Sequence, residues 1–329
     1  MDLVISVFPA VIFLIFLFLL DSFKLVSYKL LIMCFLWGIL SALISYLFNS
    51  FLPIFSEDSP KALTLIQAPV TEEILKAFVI YIFLSTKKIG FSIDAIIYGF
   101  AIGTGFSLAE NVYYLNVNPD PNLLIWVVRG LGTSLMHGGC TSLLAMITLG
   151  RADKHRIRPL NIISGLVTAI LMHSLFNSFY FDPLLQTLGL LLIMPLLFLS
   201  IFYFKERALR KWLDLEFYNE VELLSKIRRG EVSETNAGIY LNSLRDRFKP
   251  EIILDMYCYL SLYLELSVKA KRNILLRESG IEPPIEKDIE QKLKELLHLR
   301  RDIGKVGELT LAPLIKMSYN DLWKLKQLS

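Results

Sequence analysis

The stretch APVTEEILKAF, residues 68–78, sets two adjacent carboxylates, Glu72 and Glu73, and the ammonium of Lys76 in the middle of an apolar run from residue 62 to residue 84. A run of that length crosses a hydrocarbon core of ~30 Å at ~1.5 Å per residue. A charge at bilayer depth costs roughly 2.5–3.5 kcal/mol unless it finds a partner or a wet cavity. Two side by side call for partners, and the rest of the chain holds candidates for them.

The neighbouring sequence repeats the pattern of that run. Apolar segments occupy residues 3–20, 30–52, 62–84, 95–115, 123–149, 162–181 and 184–204, seven in all and each about 18–27 residues long. Across 329 residues the hydrophobic share is 54% and the mean hydropathy +0.52, too high for an ordinary soluble protein. The expected fold is all-α: a polytopic membrane bundle of about seven transmembrane helices over residues 1–204, then a small all-α cytosolic domain over residues 205–329. The latter is charged, with helical periodicity over residues 212–227, 252–267 and 285–299. Gly230, Pro250, Gly280, Pro283 and Pro284 punctuate it.

Loop charges give the orientation. Lys24 and Lys29 follow the first segment, Lys87 and Lys88 the third, and Arg151, Lys154, Arg156 and Arg158 the fifth. Lys205, Arg207, Arg210 and Lys211 follow the seventh, whereas the alternate loops carry Glu57, Asp58, Asp120 and Asp182, with Lys61 the only lysine near them. Every odd-numbered exit is basic, which puts the N-terminus outside and the C-terminus in the cytoplasm. The net charge of +3 is small, and its clustering in short loops fits membrane orientation rather than nucleic-acid binding. The N-terminus has an acidic residue where a signal peptide carries positive charge, and its apolar run lacks a small-residue cleavage site, so it reads as a retained helix. Cys34, Cys140 and Cys258 are far apart and suggest neither a disulfide framework nor a zinc ribbon.

Few ionisable residues fall within the segments. Besides Glu72, Glu73 and Lys76 these are Asp94, Glu110, Arg129, His137 and His173, with Asn177 one turn beyond the last. Glu72 and Lys76 share a face, as do His173 and Asn177, whereas Glu73 lies ~100° around the helix and points elsewhere on simple geometry. Counted from the outer ends, Glu72 lies ~15 Å deep, Glu110 ~8 Å, His173 ~12 Å and His137 ~20 Å, so all can share one layer. Gly99, Gly103, Gly105, Gly138 and Gly139 allow close helix approach, and Pro69 can kink the helix before Glu72. Two carboxylates, two imidazoles and a carboxamide in a partly dry pocket suit hydrolysis. A carboxylate takes a proton from water, and His with Glu can hold a divalent metal, zinc above all, that acidifies the water. A glutamate mechanism without a metal is open to the same groups. Lys76 neutralises the second glutamate, and Asn177 can donate to an oxyanion.

EEILK at residues 72–76, FSLAEN at 106–111, His137 in MHGG and HSLFN at 173–177 together resemble the motif set of the PrsW family of intramembrane proteases. That family is related to the type II CAAX prenyl endopeptidases and the bacterial immunity-type membrane proteins. The resemblance covers roughly residues 60–180 and keeps motif order and helix placement; Glu110 stands where the CAAX endopeptidases usually carry His. It implies hydrolysis of a peptide bond of a membrane-associated protein, in some members a membrane-anchored anti-sigma factor, in a bacterial cell membrane. Carried onto this chain, Glu72 is the general base with Glu73 in support, Glu110, His137 and His173 hold a metal or orient the water, and Asn177 steadies the oxyanion.

Each feature has a plainer reading. The glutamates and Lys76 could form a structural ion-pair network, His173 and Asn177 interhelical hydrogen bonds, and His137 a satisfied buried histidine. Arg129 reads as a snorkelling residue or a partner for Glu110, and Asp94 as a helix-start residue. A proton-coupled transporter also uses intramembrane Glu and His, but it needs a polar path to both faces, and the inner halves of the segments carry little. A catalytically silent immunity-type scaffold is the remaining alternative.

Overall fold

The apolar runs fold as helices, in which an apolar segment satisfies its own backbone polar groups. The structure is a computed structural model and describes residues 2–51, 60–117, 122–150, 159–284 and 288–315. Glu57, Asp58, Asp120, Arg151, Lys154, Arg156 and Arg158, whose charges enter the orientation argument, lie outside the described residues. All described elements are helical. They are α1 (Asp2–Leu19), α2 (Tyr28–Phe51), the short α3 (Pro60–Ala62), α4 (Ala68–Ser85), α5 (Ser92–Val117), α6 (Leu123–Val127), α7 (Ser134–Gly150), α8 (Pro159–Asn177), α9 (Pro183–Arg228), α10 (Asn236–Asn242), α11 (Pro250–Glu278) and α12 (Ile289–Leu311). Two π turns, Leu63–Gln67 and Val128–Thr133, lead into α4 and α7. Among the described residues Tyr28–Phe51, Ser92–Val117 and Pro183–Lys211 are long and apolar enough to cross a membrane, judged by length and composition.

The chain divides into two compact units, Met1–Glu206 and Arg207–Ser329. In the first, α5 is the central post, with Ile96, Phe100, Ala101 and Ile102 fully buried. Gly99 and Gly103 form a small-xxx-small face against α7: a methyl on Gly103 would collide with the His137 carbonyl and the Gly138 backbone, and one on Gly99 with Thr141 and Ser142. Gly38 of α2 and Gly105 of α5 make the same kind of contact with each other's helix backbone. The outer helices turn apolar stripes away from this core. Leu36, Leu40, Leu43 and Leu47 on α2, Val167, Leu171 and Leu175 on α8, and Leu185, Leu188, Leu192, Leu196 and Leu199 on α9 are exposed. Continuous apolar faces of this size suit hydrocarbon, not water.

Local sequence explains the helix ends. Asp94, in the first turn of α5, reaches back to accept from the backbone N–H groups of Gly90 and Phe91 at 2.9 Å each, which satisfies donors at the helix start. At the end of α4, Lys87 takes φ 57°, and the Lys88 N–H bonds the Phe83 carbonyl at 2.7 Å in a Schellman closure. Pro69 sits in the first turn of α4. The preceding turn opens to π geometry, with the Ala68 N–H bonded to the Leu63 carbonyl, which accommodates a residue without an N–H.

In the second unit the periodicity predicts a helix over 212–227, and the structure shows that stretch as part of α9. No Gly or Pro lies between Phe204 and Arg228, so nothing stops the helix at the composition change. Gly230 (φ 77°) and Gly280 (φ 76°) end α9 and α11, and Pro250 opens α11 in its first turn. The helix predicted over 285–299 appears as α12; residues 285–287 lie outside the described residues. Met256, Leu260, Tyr263 and Ile274 of α11 pack in this unit's core with Leu293, Leu296 and Ile303 of α12. The buried Lys271 pairs with Glu220 at 2.9 Å, and Ser267 donates to the other oxygen of Glu220 at 2.7 Å.

Candidate active site

Four helices of the first unit bring acidic and imidazole groups to one point: α4 with Glu72, Glu73 and Lys76, α5 with Glu110, α7 with His137 and α8 with His173. On α8 the apolar pattern sets the direction, because Ala169, His173 and Phe176 are buried while Leu171 and Leu175 are exposed. On α7 it is the glycine contact with α5 that holds His137 inside. One ligand atom each from Glu72, His137 and His173 lies within 4.8 Å of the others. The two imidazole rings meet edge to face with centroids 4.8 Å apart.

Glu73 is the close partner of Lys76, as expected of the second glutamate, and Glu72 lies farther off on the same side. Lys76 Nζ lies 2.8 Å from Glu73 Oε1 and 4.0 Å from Glu72 Oε2. Residues three apart are also neighbours on a helix, and a flexible glutamate covers the angular gap that separates it from residue 72. Glu73 therefore does not point elsewhere: it is fully buried, and its Oε1 also lies 3.0 Å from His173 Nδ1.

The four imidazole nitrogens can be accounted for one by one. Glu73 can only accept from His173 Nδ1, so a neutral imidazole held this way carries its lone pair on Nε2. That nitrogen faces Glu72 Oε2 at 3.8 Å, and Glu72 Oε2 is buried and meets no hydrogen-bond donor among the described residues. His137 Nε2 donates to Glu110 Oε2 at 3.0 Å. Its Nδ1 accepts from Lys76 Nζ at 2.8 Å, because an ammonium can only donate. Each ring thus gives one nitrogen to a carboxylate and turns the other towards Glu72 or Lys76.

Two acceptors facing each other in a buried place are unfavourable unless a positive or proton-bearing group lies against both. A carboxylate with two imidazoles, each imidazole backed by a further carboxylate, is also a donor set that suits a divalent metal. The residues present fit such an ion. Glu110, expected as a ligand with the two histidines, stands outside the close group that Glu72 makes with them. It is held by Arg129 Nη2 at 3.2 Å and by His137, in the position of a carboxylate that orients an imidazole. Arg129 is in turn seated over the Tyr114 ring at 3.8 Å. Asn177 is half-buried and donates to the Thr64 carbonyl at 3.2 Å. Its amide retains a second N–H.

Some contributors were not foreseen as such. The Phe106 ring lies under the Lys76 ammonium at 3.9 Å and against the His137 ring at 4.8 Å. Asn111 ties α5 to α1 through the Ser6 carbonyl at 2.7 Å. Both belong to the FSLAEN motif, so the signal was present, but nothing in the sequence separated their tasks. The Lys76–His137 contact joins residues 61 apart and had no local signal.

Residues 26–202 match the family described as PrsW family intramembrane metalloprotease. No curated protein and no solved structure shows a significant match to the chain. The match takes in α2 through the first part of α9, and so all four helices that meet at the acid–imidazole cluster. The chain is an integral membrane protease and belongs to the PrsW family of intramembrane metalloproteases.

Proposed function

We propose that this chain is an endopeptidase that uses Glu72, His137 and His173 to hydrolyse a peptide bond of a membrane-anchored protein, with a membrane-anchored anti-sigma factor as a fitting substrate. The observation that carries this reading is the pair of facing acceptors, Glu72 Oε2 and His173 Nε2, 3.8 Å apart with no donor to the first. A divalent metal held by Glu72, His137 and His173, zinc being well suited to such nitrogen and oxygen donors, would bring the pKa of a water towards neutrality.

The side chains divide the remaining work. Glu72 takes the proton of the attacking water on Oε1, while Oε2 stays turned to His173 Nε2, and returns it to the leaving amine. Glu73 fixes the His173 ring through Nδ1, and Glu110 fixes the His137 ring through Nε2, so neither ring rotates. Lys76 balances the buried charge of Glu73. Asn177 has one N–H left after Thr64 takes the other, and that N–H stabilises the tetrahedral oxyanion.

Glu72→Gln or His173→Ala is expected to lower cleavage of a membrane-anchored substrate by about 10²–10⁴-fold while the protein still inserts and folds. Full activity in either variant rules out the assignment. In the same reading residues 1–204 form a seven-span protease domain and residues 205–329 a cytosolic helical domain, in a bacterial cell membrane with the N-terminus outside. Reporter fusions after Lys88 and Phe204 then report cytoplasm and one after Asp58 the outside; the opposite pattern contradicts this topology.

A further inference from the structure

His137 Nδ1 is one of the nitrogens that the metal reading requires, and a lysine lies on it. Lys76 is fully buried, and its Nζ touches Glu73 Oε1 at 2.8 Å, His137 Nδ1 at 2.8 Å and the Phe106 ring at 3.9 Å. It also stands 4.0 Å from Glu72 Oε2. An ammonium contacting an imidazole lone pair and lying near a carboxylate oxygen makes some of the contacts that a metal cation would make. Two cations cannot share one lone pair, and at such distances in a buried site they repel strongly.

We propose that Lys76 is a built-in competitor for the metal: its ammonium and a divalent cation take His137 Nδ1 in turn. This rests on the reading of Glu72, His137 and His173 as the ligand group. The structure also offers the place to which Lys76 withdraws. Glu73 Oε2 is buried and meets no donor among the described residues. An ammonium on a flexible four-carbon stem carries three rotatable donors, so it can move from Oε1 to Oε2 of the same carboxylate and keep its ion pair. Lys76 thus keeps the buried acids compensated before the metal arrives, at the expense of metal affinity.

The inference carries a sign that a purely structural lysine would not. Removing a structural lysine leaves Glu73 uncompensated and loosens the site, whereas removing a competitor tightens metal binding. Zn²⁺ affinity is measured by equilibrium dialysis on the purified full-length protein in detergent, for the wild type and Lys76→Met, with thermal melting to confirm folding. Lys76→Met is expected to bind Zn²⁺ at least about tenfold more tightly. Equal or weaker binding by the folded variant overturns the proposal. Should Lys76→Met not fold, the double variant Glu73→Gln/Lys76→Met is compared with Glu73→Gln alone, and again only tighter binding supports it. Zn²⁺ bound by neither the wild type nor any variant defeats the ligand assignment itself, and the competitor with it.

Discussion

Arg129 reaches the candidate site through Glu110 rather than through an imidazole. Its guanidinium is held between the Tyr114 ring and Glu110 Oε1, and the other oxygen of Glu110 accepts from His137 Nε2. Arg129→Met removes the cation and frees Glu110 to turn away. We expect kcat to fall roughly tenfold to a hundredfold, the range typical of partners that orient a ligand, with KM little changed and partial rescue by Arg129→Lys. An unchanged kcat in Arg129→Met would detach this arginine from the site. At this scale the sequence was legible where partners lie on one helix or could be guessed as a charge pair, as with Arg129 and Glu110. For Glu73 it gave the pairing with Lys76 but turned the side chain away from His173, because residue spacing gives the direction of Cα–Cβ but not where a flexible carboxylate ends. It was silent on Lys76 and His137, which meet only after α4 and α7 have packed.

Helices here carry their information in what interrupts them. The π turn Leu63–Gln67 ends five residues before Glu72, and the π turn Val128–Thr133 ends four residues before His137. Each widens the chain just ahead of a site residue and sets apart a carbonyl for side chains to use. Thr64 accepts from Asn177, and the Arg129 carbonyl from Asn111 at 3.4 Å and Ser134 at 3.4 Å. Pro69 pointed to the first irregularity; for the second, nothing in VRGLGT announced one. The glycines were more informative. Gly99 and Gly103 lie one turn apart on the α5 face that meets α7, and a methyl at either would strike α7 backbone, which explains the choice of glycine on physical grounds. That contact is also what brings His137 to the depth of Glu110.

For the molecule as a whole, hydropathy was the stronger guide. An apolar composition, exposed leucine stripes on α2, α8 and α9, and a buried central α5 all describe a protein whose solvent is hydrocarbon around a small polar centre. The composition changes near Phe204 and the structure divides the chain into two compact units after Glu206, yet the helix runs through the change because no breaker marks the place. Depth counting put the acidic and imidazole groups in one layer, and four helices do meet there; what no local pattern could supply was the individual contacts, since these depend on packing between distant residues such as Glu73 and His173. X-ray absorption spectroscopy at the edge of the bound metal, on the purified full-length protein, tests this convergence most directly. The account predicts one metal per chain with two imidazole nitrogens and a carboxylate oxygen at about 2.0–2.2 Å, and one imidazole fewer in His173→Ala. A first shell with no more than one imidazole in the wild type, or one unchanged by His173→Ala, would contradict it.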